Sequence, residues 1–214
     1  MAVDEACAPR RTQAERREQS MARLVQACID CLVEEGYQRT STQTVARRAG
    51  LSQGALFRHF DNRLALLTAT AEEIADRFID GYRARVAELS ASISDEITLA
   101  VRALHDITRS NEQLAWFELQ QAARTEPELC EAFRPIFLRN QQDNVALAAE
   151  LFPQSLGRLP MMNELVQTLI QIFHGQTLDA HIEQDAQKDE KMLTLVTQLA
   201  QLGLSLMQPR QAGG

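Results

Sequence analysis

The 214-residue sequence predicts an all-α protein of about nine helices, in which a small N-terminal helix-turn-helix domain precedes a larger helical domain. Apolar residues recur at helical spacing along most of the chain, and no segment alternates apolar and polar residues as a β-strand does. Short polar breaks divide the chain into segments of helical length. The hydrophobic content of 45%, with only 9 glycines and 6 prolines, is typical of an ordinary folded protein.

The first predicted helix extends from about Ala14 to Glu35 and ends at Gly36. Its apolar stripe consists of Leu24, Ala27, Cys28, Cys31 and Leu32. Cys28 and Cys31 have the spacing of a redox or metal pair, but both lie on that stripe. No second pair of Cys or His residues stands at metal-ligand spacing. We therefore interpret both cysteines as small buried hydrophobic residues, and we expect no metal site.

The segment from Ser41 to Phe60 predicts two short helices joined by a tight turn. The apolar stripe of the first helix is Val45, Ala46 and Ala49. Gly50 can end that helix in the left-handed conformation, which glycine adopts without a Cβ clash, and Ser52 can cap the second helix. Leu56 and Phe60 lie four residues apart and face inwards. The exposed side then carries Gln53, Gly54, Ala55, Arg58 and His59. Such a helix-turn-helix can enter a DNA major groove.

A longer fourth helix is predicted after an N-cap at Asp61-Asn62. Its inner side includes Leu64, Leu67, Ile74 and Phe78. This helix joins the helix-turn-helix directly to the rest of the chain, so it is a candidate mechanical lever. Five more helices follow, with Pro135 as a candidate kink in one of them. The predicted breaks lie near Ser90–Ser94, Ser110-Asn111, Glu126-Pro127, Phe152–Pro160 and His181–Asp189.

The net charge of −7 is unevenly distributed along the chain. Residues 1–63 carry 10 arginines and 8 acidic residues, whereas residues 64–214 carry 12 basic and 21 acidic residues. A basic end beside an acidic body favours DNA approach from one side only. Residues 1–12 lack periodicity and are expected to be disordered. Arginines 10, 11, 16 and 17 make this start of the chain either a solvated tail or an arm that contacts phosphates or a minor groove.

The sequence argues against a membrane protein, a secreted protein and an enzyme. No apolar run approaches the eighteen residues of a membrane span, and the N-terminus has no apolar signal segment. The 4 cysteines suit a reducing compartment, so we expect a cytoplasmic protein. No phosphate loop, nucleophile elbow or zinc-protease motif is present, and we expect no cofactor. His105 and His181 are interpreted as surface or helix-end residues.

Residues from about Arg17 to Phe78 resemble the N-terminal DNA-binding domain of the TetR family of bacterial transcriptional regulators. The matching residues are Gly36-Tyr37, Thr40-Ser41-Thr42, Val45-Ala46, Ala49-Gly50-Leu51-Ser52, Gly54, Leu56-Phe57, His59-Phe60 and the stretch from Leu64 to Leu67. Two residues depart from the pattern, because members usually carry tyrosine where Phe57 stands and lysine where Arg63 stands. Phe57 keeps the ring but loses a hydroxyl that could reach a phosphate.

The resemblance implies a homodimeric transcriptional regulator, a repressor that leaves a palindromic double-stranded DNA operator when a small-molecule effector binds. A transcriptional activator, and a helical small-molecule-binding protein without operator control, are the alternatives. The predicted division is a basic tail at 1–12, a helix-turn-helix domain at 13–63 and an effector-binding and dimerisation domain at 64–208.

The predicted DNA surface combines residues that read bases with residues that hold phosphates. Gln53, Ala55 and Arg58 are expected to face base edges or the groove wall, because glutamine suits adenine and arginine suits guanine. Gly54 lets the backbones approach closely. The expected phosphate contacts are Ser41, Thr42, Ser52, His59 and Arg63, and Gln43, Arg47 and Phe57 complete the surface.

Two further sets of residues are predicted in the larger domain. The effector pocket is predicted from Trp116, Phe117, Gln120, Phe133, Phe137, Phe173 and His174, which could alternatively be ordinary core residues. The acidic body favours a cationic or neutral apolar effector over an anion. The dimer interface is predicted from Leu165, Leu169, Phe173, Leu195, Leu199 and Leu202 on the last two helices. These stripes either cover the domain's own core or form a two-fold four-helix bundle, which the resemblance favours.

Overall fold

The computed structural model describes residues 12–159 and 161–207, and these ranges contain nine α-helices, two short 3-10 turns and no β-strand. The predicted all-α class and the predicted breaks are confirmed. The basic tail, including Arg10 and Arg11, lies outside the described residues apart from Thr12. The helices are α1 Gln13–Glu35, α2 Thr42–Arg48, α3 Gln53–Leu56, α4 Arg63–Leu89, α5 Glu96–Ile107, α6 Asn111–Ala123, α7 Pro127–Leu151, α8 Met162–Asp179 and α9 Ala186–Met207.

Polar side chains set the starts of the first helices. Thr12 forms a capping box with Glu15 at the start of α1. The Ser52 hydroxyl accepts the Ala55 N–H at 3.1 Å, and the Asn62 side chain accepts the Ala65 N–H at 2.8 Å. Both predicted caps are therefore confirmed, and each is typically worth about 1 kcal/mol of helix stability.

The hydrophobic core has two parts. The first part joins α1, α2 and α3, which we call the head, to the first half of α4, to α6 and to the first half of α7. The second part joins the end of α4 to α5, the end of α7, α8 and α9. The core of the head is thus continuous with α6 and α7, because α1 packs along α6. We call the remainder of the chain, α4–α9, the body.

Helix α4 is the central element, since it packs against α1, α5, α6 and α7. It has 27 residues and is therefore about 40 Å long at 1.5 Å per residue. Its buried positions include the predicted Leu67, Ile74 and Phe78, while Leu64 is half-buried. One continuous helix therefore contacts both parts of the core.

The burial of the side chains tests the interpretations of the two cysteines and the two histidines. Cys28 and Cys31 are wholly buried, and burial raises the pKa of Cys28 to about 12, so this thiol is protonated. Their interpretation as buried hydrophobic residues is confirmed. His105 lies in the last turn of α5, as the helix-end alternative predicted, but it is not a surface residue, because α5 is covered by α4 and α8. Its ring packs edge-on against Phe173 at 5.4 Å. His181 follows the end of α8 and is exposed, as predicted.

Candidate DNA-binding surface and ligand cavity

The turn between α2 and α3 depends on Gly50. Its φ of +64° is left-handed, a conformation that other residues adopt only with strain. The Leu51 N–H donates to the Ala46 carbonyl at 2.9 Å and closes the turn. A Cβ at position 50 would also lie 3.0 Å from the Arg23 guanidinium, which donates to the Ala49 carbonyl. The left-handed φ therefore favours glycine at this turn, and a Cβ would additionally require the Arg23 side chain to shift by a few tenths of an ångström.

Helix α3 divides cleanly into a buried and an exposed side. Leu56 and the following Phe60 are buried against α1, α2 and α4, as predicted. Gln53, Gly54 and Arg58 are exposed, and Phe57 is nearly half exposed despite its large apolar ring. The exposed side also contains the half-buried Ala55 and His59. This short segment therefore presents a polar surface around a glycine.

Gln53 is oriented by a contact between the first residues of α2 and α3. Its Nε2 donates to Thr42 Oγ1 at 3.3 Å. The side-chain oxygen and the second N–H of Gln53 take no part in this bond, and these are the groups that bidentate adenine recognition uses. The side chain of Ser41 is also engaged, since it accepts the Thr44 N–H at 3.1 Å as the cap of α2.

Arg63 contacts the protein itself through a planar fork. Its Nε donates to the Thr40 carbonyl at 2.7 Å, and a terminal nitrogen donates to the Tyr37 carbonyl at 2.6 Å. The guanidinium carbon lies 4.1 Å from the centre of the Tyr37 ring. The bonds that this structure shows therefore hold the 3-10 turn at Tyr37–Arg39 and the entry to α2. A lysine cannot make the same planar pair of bonds.

The two arginines at the end of α2 differ in their surroundings. Arg48 pairs with Asp30 at 3.7 Å, with Glu35 at 4.0 Å and with Glu34, all on α1. Arg47 is exposed, and it alone of this pair was predicted to face DNA. Arg47 is therefore accessible, whereas the ion pairs of Arg48 connect α2 to α1.

His59 is half-buried at the end of the α3 segment. Burial lowers its pKa below the ordinary value, and the nearby charges of Arg17 and Arg58 lower it further. This lowered pKa favours the neutral ring at pH 7 in the protein without DNA. Its Nδ1 is buried without a hydrogen-bond partner among the described residues.

The body contains two adjoining cavities of about 50 Å³ each. The first, which we call the apolar cavity, lies among α5, α7, α8 and α9, and its walls include Ile97, Leu147, Val166 and Leu204. The second, which we call the polar cavity, is lined by α4, α5, α6, α7 and α8. The residues shared by both linings are Tyr82, Leu104, Asn144 and Ile170. The cavities therefore meet where α4, α5, α7 and α8 come together.

Two side-chain amides line the polar cavity without hydrogen-bond partners. Gln113 Nε2 and Asn140 Nδ2 have none among the described residues, although Gln113 is only 3% exposed and Asn140 only 7%. Asn140 Oδ1 accepts from Asn144 Nδ2 at 3.1 Å, which leaves the Asn140 N–H groups as the unused part of that amide. A buried unpaired donor costs about 1–3 kcal/mol of stability.

The predicted effector residues are only partly brought together. Trp116 and His174 line the polar cavity. Phe133 packs edge-on against Trp116 at 4.7 Å, and Phe137 stacks on it at 6.3 Å, away from both linings. Phe117 packs edge-on against His174 at 5.0 Å. Phe117, Gln120, Phe133, Phe137 and Phe173 are absent from the described linings of the two cavities.

Sequence reasoning missed Gln113 and Asn140 as cavity residues, although a signal was present. The buried residues of α7 include Leu129, Phe133, Ile136, Asn140 and Leu147. These positions follow helical spacing, so a polar amide stands within an otherwise apolar stripe. Likewise, Gln113 is the polar member of the buried side of α6. A polar residue on a buried stripe needs a partner, which is the clue that the aromatic pattern did not contain.

The predicted dimer residues separate into an exposed set and an internal set. Leu195, Leu199 and Leu202 on α9 are 48%, 58% and 57% exposed. Phe173 is wholly buried within its own chain. Leu165 and Leu169 pack against the second part of the core and line the apolar cavity. Phe173 therefore presents no surface to a partner, whereas Leu165 and Leu169 are half-buried.

The described residues contain neither a metal-binding group nor a membrane-spanning helix. Within residues 12–159 and 161–207, no group of three or more His, Cys, Asp or Glu residues is arranged to hold a metal ion. None of the helices in these ranges combines the length and the apolar character needed to cross a bilayer.

Comparison with known proteins identifies relatives of the whole chain and of its first third. The model of the family described as bacterial regulatory proteins, tetR family, matches residues 24–70. A helix-turn-helix-type transcriptional regulator of Mycobacterium tuberculosis is 32% identical over 199 residues, which is 91% of this chain and 99% of the relative. The regulator CymR of Pseudomonas putida is 40% identical over 80 residues, or 37% of this chain and 39% of CymR.

The fold also matches solved structures. A TetR-family regulator from Rhodococcus sp. superposes with a TM-score of 0.67 at 21% identity, covering 85% of this chain and 98% of that protein. At this identity the match concerns the fold alone.

Proposed function

Because this chain belongs to the TetR family of bacterial regulatory proteins, we propose that it is a homodimeric repressor that binds a palindromic operator and is released by a small molecule. It is a transcriptional regulator with a helix-turn-helix DNA-binding domain. The observation that carries the proposal is the exposed polar side of α3, positioned by the Gly50 turn. Repression, dimerisation and effector release are the parts that we propose, together with a cytoplasmic location beside the chromosome.

In this proposal α3 reads bases and its surroundings hold the DNA backbone. Gln53, Ala55 and Arg58 would face the major groove, and Gly54 would let the two backbones approach. A Cβ built at Gly54 meets nothing within 4 Å, so the fold itself does not require glycine there. Phosphate contacts would come from Ser41, Thr42, Ser52, His59 and Arg63, and Gln43, Arg47 and Phe57 would complete the DNA surface.

Dimerisation would use the exposed apolar stripe of α9. Its members, with intervals of three and four residues, are Met192, Leu195, Leu199, Leu202 and Leu206. This spacing is that of a helix seam which packs against a partner helix. On α8, Ile172 and Leu178 are exposed, and Gly175 between them has open space where a Cβ would stand. Two copies of these helices would form an isologous four-helix bundle.

Effector release would begin at the two cavities of the body. Trp116 lines the polar cavity and also belongs to the part of the core that contains the head. A molecule that enters the cavity therefore contacts a residue packed into the same cluster as α1. Release requires that the molecule bind more tightly to the arrangement of heads that does not fit the operator.

The test is a footprint of the purified protein on the DNA upstream of its own gene. The proposal predicts a two-fold symmetric footprint with half-sites about one helical turn apart, roughly 34–36 Å, or a multiple of this distance. The logarithm of affinity should fall linearly with the logarithm of salt concentration. Light scattering should give the mass of two chains. An asymmetric footprint, or binding that is indifferent to salt, would refute the proposal.

A further inference from the structure

The chemical class of the effector can be derived from the groups that line the cavities. We infer that the cavities bind an uncharged, largely apolar molecule whose carbonyl oxygen accepts hydrogen bonds from Gln113 and Asn140 at the polar end. This inference rests on the proposed effector site of the body. It is derived from the unpartnered amides, from the charge of the linings and from the way in which the two cavities meet.

In the described part of the chain, the buried side-chain atoms of the polar cavity's lining that lack a partner are both hydrogen-bond donors. Gln113 Nε2 and Asn140 Nδ2 are buried, face the same cavity and have no partner among the described residues. The Asn140 oxygen accepts from Asn144 Nδ2, whereas the N–H groups of Asn140 have no partner among these residues. A carbonyl oxygen has two lone pairs and can accept from both amides.

The linings contain no charge that would compensate an ionised ligand. Of the described residues that line either cavity, none is Asp, Glu, Lys or Arg. Burial lowers the pKa of His174 to about 4, so this ring is neutral at pH 7. A carboxylate or an ammonium group would lose its hydration without gaining an opposite charge. An amine would additionally direct N–H groups at the donors of Gln113 and Asn140.

The remaining part of the ligand would occupy the apolar cavity. Its walls are aliphatic side chains of α5, α7, α8 and α9, including Val101, Leu147 and Leu169. The Tyr82 hydroxyl, at the junction of the cavities, already donates to the Ala100 carbonyl at 3.2 Å. Beyond this junction the lining is almost entirely aliphatic, so an apolar group is favoured there. Esters, lactones, ketones and amides with a hydrocarbon portion fit this description.

The experiment compares four probes that share one ring and differ in their polar group. Acetophenone carries a ketone, ethylbenzene carries no acceptor, benzoate is an anion and 1-phenylethylammonium is a cation. Binding to the full-length protein without DNA is measured by calorimetry and by the rise in thermal unfolding temperature. Acetophenone should bind about tenfold more tightly than ethylbenzene, because each of two hydrogen bonds contributes modestly. Benzoate and 1-phenylethylammonium should bind more weakly than ethylbenzene.

Substitutions of the amides test their role directly. Gln113→Leu and, independently, Asn140→Leu should bring the preference for acetophenone over ethylbenzene to within about twofold. Gln113→Leu should also raise the unfolding temperature of the free protein, because it removes an unpaired buried donor. Gln121→Leu on α6 and Gln142→Leu on α7 are matched controls at exposed positions, and they should keep the tenfold preference.

Three results would overturn the inference. These are binding of benzoate or 1-phenylethylammonium as tight as that of acetophenone, an unchanged preference in both amide variants, and no acetophenone-dependent shift up to the solubility limit. These binding measurements contain no DNA, so their results do not depend on whether the protein binds an operator. If the protein binds the ketone selectively but binds no operator, the ligand class stands and the repressor function is refuted. If it binds an operator but does not prefer the ketone, the repressor function stands and the ligand class is refuted.

Discussion

Gln53 and Arg63 are both polar residues of the DNA-binding region, but the structure engages them differently. Gln53 is exposed and makes one hydrogen bond, to Thr42. Arg63 is half-buried and donates to two backbone carbonyls while its guanidinium lies over Tyr37. The first is free to read a base, whereas the second shapes the entry to α2. Their substitution should therefore affect operator binding in different ways.

Gln53→Ala should relax specificity at one base position. The free energy of binding to the operator should weaken by roughly 1–3 kcal/mol, whereas binding to the operator variant in which this base is changed should weaken little. Arg63→Ala should weaken binding about equally on all sequences, because it disturbs the position of the whole helix-turn-helix. Gel shifts on the operator and on its single-base variants measure both effects. If Gln53→Ala weakens every site equally, Gln53 does not read a base.

Arg63→Lys separates charge from geometry at the same position. Lysine keeps the positive charge but not the planar fork that reaches Thr40 and Tyr37. If Arg63 acts through the bonds seen here, Arg63→Lys should resemble Arg63→Ala. If it acts through a phosphate charge, Arg63→Lys should bind like the unsubstituted protein.

At the scale of single elements, two glycines four residues apart have opposite structural roles. Gly50 needs its left-handed φ of +64°, and a Cβ there would crowd Arg23. Gly54 lies in α3, and a Cβ there meets nothing within 4 Å. The fold therefore favours glycine at position 50, whereas a requirement for Gly54 would come from DNA.

Gly54→Ala should stabilise the free protein by about 0.5–1 kcal/mol, because alanine loses less backbone entropy in a helix. The same substitution should weaken operator binding, because the added methyl group stands where the DNA backbone approaches. Gly50→Ala should instead destabilise the protein by about 1–2 kcal/mol. Thermal unfolding and gel shifts distinguish the two. If Gly54→Ala binds the operator as tightly as the unsubstituted protein, residue 54 does not contact the DNA.

Helix α9 exposes a row of leucines that a monomer has no reason to expose. Leu199→Glu would place a charge in the proposed seam, where it would lose hydration without a partner. We expect a helical monomer that no longer holds the operator. Gln198→Glu is the matched control, because residue 198 is exposed on α9 but lies outside the leucine row. Light scattering that shows a dimer for Leu199→Glu would place the interface elsewhere.

Local elements of this fold could be predicted from the sequence, whereas the surroundings of the last helices could not. The caps at Ser52 and Asn62 and the Gly50 turn depend on neighbouring residues, so their pattern was sufficient. On α8 the prediction chose Phe173 for the interface, but the exposed residue is Ile172. One residue is a rotation of about 100° around a helix. Both sides of α8 are apolar, so periodicity cannot tell which side its own chain covers.

The cavities could not be predicted from the sequence either, because local patterns do not show which helices lie next to each other. Five helices contribute to the lining of the polar cavity, and they are brought together only by the tertiary fold. Of the residues that aromatic clustering selected, Trp116 and His174 line the polar cavity. The same clustering also selected Phe133 and Phe137, which fill space around Trp116 instead. Density of aromatic residues indicates where a core is, but it does not distinguish a filled part of that core from an open one.

At the scale of the whole molecule, the head has no core of its own. Trp116 on α6 and Phe133 on α7 belong to the same buried cluster as Leu24 and Ile29 on α1. Polar contacts follow the same route, since the Tyr37 N–H donates to Glu118 at 2.7 Å and the Tyr37 hydroxyl donates to Glu126 at 2.6 Å. The stability of the head should therefore depend on residues of the body.

Trp116→Ala should destabilise the protein by about 3–5 kcal/mol and speed hydrogen exchange in α1 as well as in α6. Phe173→Ala is the matched control, because Phe173 is an equally buried ring in the second part of the core. It should speed exchange mainly in α5, α8 and α9. If Trp116→Ala leaves exchange in α1 unchanged, the head folds independently of the body.

The size of the cavities has a consequence for the speed of the response. An apolar cavity of about 150 Å³ can hold benzene, whereas each cavity here measures about 50 Å³. A larger ligand can enter only after the helices have moved apart, so the rate of that opening sets an upper limit on the rate of entry. In stopped-flow experiments that follow Trp116, the observed rate should level off as ligand concentration rises. The delay between exposure to an effector and derepression would then be a property of the protein and not of the dose.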